Sequence, residues 1–186
     1  MREATIRIVG PALRAERRRR HRRFAWACVC AALVAVVVWT IASPPRPRLL
    51  WNASASAPMG LWRVFPGASV GRGDMVVVRL GQPWRGLAAR RHYLPANVPL
   101  IKRVAAAPGD RVCAFEAWVF VEGRIAAIRR RFDGQGRPLP WWRGCTTLEG
   151  GAMLLLTDDP ASFDGRYFGP VAAQTVVGKA VPLWLR

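Results

Sequence analysis

Lysine is nearly missing from this chain. Of 29 basic residues only Lys102 and Lys179 are lysines, and the other 27 are arginines. Arginine keeps its proton inside a protein, whereas lysine can lose it once buried. Each lysine is therefore either a leftover of codon bias or a side chain with a task. Acidic residues are also few, 11 against 29, and their spacing suggests no carboxylate pair for glycoside chemistry. No glycine loop of the kind that cradles phosphate is present, and no internal repeat is evident. The five serines are Ser43, Ser54, Ser56, Ser69 and Ser162, so hydrolytic nucleophiles are scarce. Beyond the first 43 residues the only histidine is His92, flanked by arginine in Arg90-Arg91-His92-Tyr93. A Ser-His-Asp triad would have to use it, and its polar surroundings read as an exposed surface.

The formal charge of +18 invites a nucleic-acid reading, but its distribution argues otherwise. Residues 1–23 carry a net +7 and residues 44–186 a net +11. The densest run, Arg17-Arg18-Arg19-Arg20-His21-Arg22-Arg23, abuts the uncharged twenty-residue stretch from Phe24 to Ser43. About 20 apolar residues suit a helix crossing ~30 Å of hydrocarbon. Basic residues beside a span stay on the cytoplasmic side and bind anionic headgroups. No zinc-finger, helix-turn-helix or RNA-recognition pattern accompanies the cluster, so the expected partner is lipid, with no nucleic acid. A cleavable leader has an apolar core of only about 7–15 residues, and Ala42-Ser43-Pro44-Pro45 is a poor cleavage site. The expectation is a basic cytoplasmic tail (1–23), a retained signal anchor (24–43) and an exported periplasmic domain (44–186). The protein would then be a single-pass inner-membrane protein.

The exported part opens on a stiff spacer, Pro44-Pro45-Arg46-Pro47-Arg48. Short apolar runs come next, punctuated by glycine and proline. Gly71-Arg72-Gly73-Asp74 reads as a turn leading into a strand over Met75–Leu80. Further runs are Leu100–Ala105, Arg111–Phe115, Trp118–Val121, Ala152–Thr157 and Gln174–Trp184. None offers a long helical face, so a mainly β domain with at most one short helical piece is expected. Residues 129–144 read as a long loop or hairpin excursion. Cys28 and Cys30 lie inside the apolar stretch and read as small apolar residues. Cys113 and Cys145 lie in the exported part, where oxidation is favoured, and are expected to pair. A metal is the weaker reading, because two cysteines would need ligands the segment lacks.

Lys102 sits within Val98-Pro99-Leu100-Ile101-Lys102-Arg103-Val104, an apolar run that reads as a buried strand. Burial lowers a lysine's pKa and makes it a plausible base. A serine-lysine pair is thus the remaining hydrolytic chemistry. Here the sequence becomes specific, in Asn52-Ala53-Ser54-Ala55-Ser56-Ala57-Pro58-Met59-Gly60-Leu61-Trp62. This segment resembles the nucleophile region of the type I signal peptidase superfamily, closest to the TraF-type peptidases of conjugative transfer systems. Gly73–Val77 resembles the glycine-aspartate strand that comes after the nucleophile. Ile101–Val112 resembles the lysine box. Ser162–Val171, with Val177–Ala180, resembles the C-terminal box. The match spans about residues 48–184, with four boxes in order.

The resemblance implies an antiparallel, signal-peptidase/LexA-like catalytic domain behind one N-terminal transmembrane helix. It implies Ser56 as nucleophile, Lys102 as general base and Ser54 as an oxyanion-hole hydroxyl beside the Ser56 N–H. Ser162 would orient the lysine amine, and Asp164 and Arg166 would form a structural ion pair. Gly165 stands where many relatives have serine, a departure expected to be mild. Lys179 matches a position where arginine also serves, so no chemistry is expected of it. No cofactor is implied.

Only about a dozen residues separate the span from Ser56, which keeps the site within ~40 Å of the bilayer. Trp51, Leu61, Trp62 and Phe65 around it suit either the interface or a core. The implied activity is serine endopeptidase action on exported or membrane-tethered protein precursors, a pilin or transfer component. A general signal peptidase removing Ala-x-Ala leaders is the nearest alternative. A non-catalytic membrane-anchored assembly factor is the other.

Overall fold

The structure, a computed structural model, describes residues 2–43, 47–54 and 57–186, with side chains of the first helix described from Glu16 onward. The chain divides into two units, Met1–Pro45 and Arg46–Arg186.

The first unit is one helix, α1 (Arg2–Ala42), 41 residues long. Its portion Glu16–Ala42 is long and apolar enough to cross a membrane. The basic cluster and the apolar stretch share this single helix, because arginine, alanine and leucine are all good helix formers. It ends where Ser43 N–H donates back to the Trp39 carbonyl at 2.8 Å, just before two prolines. A residue preceding proline is disfavoured in the α region. Cys28 and Cys30 are exposed free thiols on it.

Among the described residues, the second unit contains ten strands and two short α-helices, besides a 3-10 turn at Ala173–Thr175. In chain order they are β1 (Leu49–Asn52), β2 (Gly60–Phe65), β3 (Met75–Val78), α2 (Trp84–Arg90), β4 (Leu100–Ala106), β5 (Arg111–Phe115), β6 (Trp118–Val121), β7 (Arg124–Ile128), β8 (Gly144–Thr147), β9 (Leu154–Leu156), α3 (Gly165–Phe168) and β10 (Val176–Leu185). A six-stranded sheet has the order β1-β2-β10-β3-β4-β9, and a four-stranded sheet β7-β6-β5-β8. Every pairing is antiparallel.

Side chains alternate across a strand, and the large sheet buries both faces. Val76, Val78, Leu100, Val104, Leu155 and Phe168 gather on one, and Trp62, Val64, Val77, Ile101 and Ala180 on the other. Each such buried Val or Leu contributes about 1.5–3 kcal/mol over exposure. Lys102 belongs to the first face, paired in register with Val76. The small sheet buries Val112, Ala114, Val119 and Val121. Its Cys113 and Cys145 lie opposite each other and form a disulfide.

The expected strands β3, β4, β5, β6, β9 and β10 all form, with ends shifted by a few residues. Four strands, β1, β2, β7 and β8, had no individual sequence expectation. β1 buries only Asn52, and β7 buries no residue fully, so neither shows a clear burial pattern, although Leu50 and Ala127 pack against the cores. Residues 129–143 form the expected excursion, closed by a bridge between Phe132 and Pro138. Two short helices appear in place of at most one. The aromatics near the serines divide: Trp62 is buried, and Trp51 is exposed and stacked on Trp184 at 5.7 Å.

Candidate active site

β1 delivers Asn52 to the start of the serine segment, and Asn52 organises the loop beyond it. Its Oδ1 accepts from the Ser54 N–H at 3.1 Å. Its Nδ2, with two hydrogens to share, faces the carbonyls of Ser54, Ala57 and Pro58 at 3.0, 3.0 and 3.1 Å. The Trp62 indole donates to the same Pro58 carbonyl at 3.1 Å. The two ends of the 53–58 loop are thus tied to one buried amide. Ser56, the expected nucleophile, lies outside the described residues, as does Ala55. The described Ser54 and Ala57 stand on either side of it.

Lys102 lies on β4, between β3 and the edge strand β9 of the large sheet, and is 1% exposed. Its Nζ donates to Ser162 Oγ at 2.5 Å, and both groups are buried. Ser162 comes from the loop between β9 and α3. There the Ser162 N–H donates to the Asp159 carbonyl at 3.2 Å, and the Ala161 N–H to Asp159 Oδ1 at 2.8 Å. Burial lowers the lysine pKa from its ordinary 10.5 to about 8, with Asp164 and Asp159 pulling upward and Arg166 downward. An amine with this pKa is neutral in an appreciable fraction of molecules near neutrality.

Asp164 and Arg166 form the expected ion pair, Nε to Oδ1 at 2.8 Å, with both side chains buried. Arg166 Nη2 also reaches Asp164 Oδ2 at 3.0 Å and the Thr157 carbonyl at 2.6 Å. Thr157 N–H adds a bond to Asp164 Oδ2 at 3.0 Å. Burial pushes the Asp164 carboxyl upward, and the guanidinium opposes it. The pair pins α3 to the end of β9. Gly165 sits so close to β9 that a Cβ would come within 2.6 Å of the Leu155 carbonyl oxygen. Glycine here is therefore a packing requirement of this chain rather than a mild departure.

Ser54, Lys102 and Ser162 line one cleft of about 380 Å³, walled by Leu94, Leu100, Phe132 and Tyr167. Ser54 thus stands with the lysine and the serine that holds it. A second cleft of about 400 Å³ lies beyond the serine segment, between Ala57–Met59 and Met75, Arg103 and Asp158. Asp159 lines both. The excursion lines the first cleft through Arg130, Phe132, Asp133 and Leu139. There Tyr93 donates to Asp133 at 2.5 Å, Arg137 pairs with Asp133 at 2.7 Å, and Arg91 donates to the Pro138 carbonyl at 2.8 Å.

Lys179 pairs with Asp74 at 2.8 Å and is half-exposed, away from the cleft residues. His92 is exposed. Among the described residues no three His, Cys, Asp or Glu side chains gather as metal ligands would. Two residues had no role assigned from sequence. Asn52 announces itself only as an Asx-turn former ahead of the serines. Asp159 carries no local signal at all, because its significance lies in where the loop folds.

Fold and site together describe a long apolar N-terminal helix and an antiparallel β domain, in which a buried lysine is held by Ser162 in a cleft that Ser54 also lines. The chain belongs to the signal peptidase family, peptidase S26, whose family model matches residues 21–185. It is similar to a plasmid transfer protein TraF from Escherichia coli, 40% identical over 134 residues and covering 69% of this chain and 72% of that protein. It is also similar to a probable conjugal transfer protein TraF from Sinorhizobium fredii (36% identical, 69% and 73% covered). A conjugal transfer protein TraF from Agrobacterium fabrum is 31% identical, with 72% and 80% covered. A solved signal peptidase I from Enterococcus faecalis V583 aligns at 20% identity and TM-score 0.34, covering 60% of this chain and 97% of that one. The family assignment rests on the first comparisons and not on this last one.

Proposed function

We propose that the protein is a membrane-anchored serine endopeptidase in which Ser56 and Lys102 form the catalytic dyad. The observation that carries this reading is Lys102: a buried amine with its pKa lowered to about 8, held by Ser162 in a cleft that also holds Ser54. A serine hydroxyl needs a base before it attacks. Neutral Lys102 takes the proton from Ser56 Oγ, which adds to the scissile carbonyl. The oxyanion is received by the Ser56 N–H and the Ser54 hydroxyl, each such donor typically worth ~3–4 kcal/mol. The Lys102 ammonium then protonates the leaving amine, and an acyl-enzyme remains on Ser56. Water, or an amine of the substrate chain itself, resolves it. Ser162 orients the lysine, and the Asp164–Arg166 pair holds the loop that carries Ser162.

The substrate is an exported or membrane-tethered protein precursor, a pilin or another conjugative transfer component. The transfer proteins among the relatives support this choice over Ala-x-Ala leader removal. In this reading α1 is a retained anchor in the inner membrane, its basic tail is cytoplasmic, and the catalytic unit is periplasmic.

Ser56→Ala and Lys102→Arg are each expected to abolish cleavage of a pilin precursor while the fold survives. Arginine keeps the charge but cannot act as base. Cleavage retained by either variant removes the dyad. Full transfer activity with the uncleaving variants would favour the assembly-factor reading instead. Cleavage of an ordinary exported preprotein in preference to the pilin precursor would favour the general signal peptidase.

A further inference from the structure

We propose that Asp159 is a positioning residue of this site, holding the turn that presents Ser162 to Lys102 and placing a carboxylate in the cleft that the lysine lines. The inference rests on the peptidase reading for its catalytic consequences and on geometry for the rest.

The geometry has three parts. Asp159 closes the 159–162 turn twice, through Oδ1 to the Ala161 N–H at 2.8 Å and through its carbonyl to the Ser162 N–H at 3.2 Å. At the end of that turn Ser162 Oγ accepts from the Lys102 amine at 2.5 Å. Asp159 also borders both clefts, with Lys102 and Ser54 in one and Ala57–Met59 in the other. It therefore stands where the clefts meet, at the serine segment.

Asp159 is one of several charges around Lys102. Asp164 and Arg166 face the amine from the start of α3, but they are bound to each other at 2.8 Å and act on it with opposite sign. From β3, the residue paired with Lys102 is the apolar Val76. Arg130 and Asp133 of the excursion line the same cleft. Asp159 adds to Asp164 as a carboxylate that favours the ammonium, and unlike Asp164 it is not bound to a guanidinium. Its effect suits both halves of the reaction. A base whose conjugate acid is stabilised takes the Ser56 proton more readily, and the ammonium that passes this proton to the leaving amine has a counter-charge beside it.

The near absence of lysine makes the test direct. Full-length protein in nanodiscs, labelled with ¹³C at lysine Cε, has two lysine side-chain resonances, Lys102 and Lys179. Lys179, paired with Asp74, is the internal reference. Asp159→Asn keeps an oxygen for the Ala161 N–H and removes the charge. The Lys102 midpoint is expected to fall below its parent value of about 8 while Lys179 stays put. The rising limb of the pH–rate profile should move with it; half a pH unit corresponds to about threefold faster cleavage on the acid side. Asp159→Ala also breaks the turn, and its plateau rate should fall tenfold or more, a loss the Asn variant largely avoids. An unchanged Lys102 midpoint in the Asn variant, or a full plateau rate in the Ala variant, overturns the proposal. A shifted midpoint in a protein that cleaves nothing upholds the electrostatic inference and overturns the peptidase reading. Normal cleavage with an unshifted midpoint does the reverse.

Discussion

Lys102 couples function to stability through one proton. Its folded pKa of about 8 lies below the 10.5 of an ordinary lysine, so between these values the unfolded chain binds more protons than the folded one. Stability therefore rises with pH across that window. The shift corresponds to about 3 kcal/mol held against the fold at neutral pH. Lys102→Met should be more stable than the parent at pH 7, and the advantage should shrink towards pH 10.5, as tryptophan-fluorescence unfolding in mild detergent would report. A constant difference across that range would mean the amine is not the cause. In the proposed mechanism activity has its own sign: only the neutral amine accepts the Ser56 proton, so cleavage should rise with pH through about 8 and be flat above it. Sequence indicated this residue through its apolar neighbours. It could not indicate Asn52, whose part depends on the three carbonyls that turn back to meet it.

Secondary elements meet at two tight contacts. Gly60 begins β2 at φ 145°, and a Cβ there would lie 2.1 Å from the Trp184 carbonyl oxygen of β10. Gly60→Ala should therefore unzip the β2–β10 end beside the serine segment. A drop in melting temperature and a slower kcat are expected together. The second contact is where the Asp164–Arg166 pair of α3 bonds Thr157, just past β9. Arg166→Ala leaves a buried carboxylate uncompensated, which typically costs about 3–5 kcal/mol. Loss of the Cys113–Cys145 disulfide, which spans 32 residues, should cost about 3 kcal/mol in the chain-entropy model and act away from the cleft. Strands with a dense apolar run, such as β3 and β4, were legible because burial on both faces demands such runs. β7 and β8 expose most of their residues and β1 half of its own, so their partners reveal them.

The two units of the chain answer to different solvents. α1 exposes its apolar side chains along its length, which a bilayer would cover. In the second unit Trp51 and Trp184 stack, and Leu49, Leu183 and Leu185 are exposed with them on β1 and β10. Tryptophan favours the membrane interface. Trp51→Ala with Trp184→Ala should slow cleavage of a membrane-tethered precursor and leave that of a short soluble peptide unchanged; equal slowing of both would place these rings in the fold rather than at the lipid. In the proposed reading the arginine cluster sets orientation, because basic flanks resist translocation. Replacing Arg17–Arg20 by glutamine should raise the fraction of inverted molecules in a protease-protection assay.

Sequence alone determined the apolar span, its basic flank, the mainly β character and the four boxes that mark the family. These are local or linear properties: a helix long enough for hydrocarbon, short apolar runs between turns, and residues in a fixed order. Tertiary structure decided what surrounds the one lysine of interest. Only folding brings Ser162, 60 residues away, to its amine, sets Asp164 and Arg166 against each other, and leaves Asp159 at the meeting of two clefts. The reason is that a lysine's pKa is a property of its surroundings, and those come from parts of the chain that no sequence window contains.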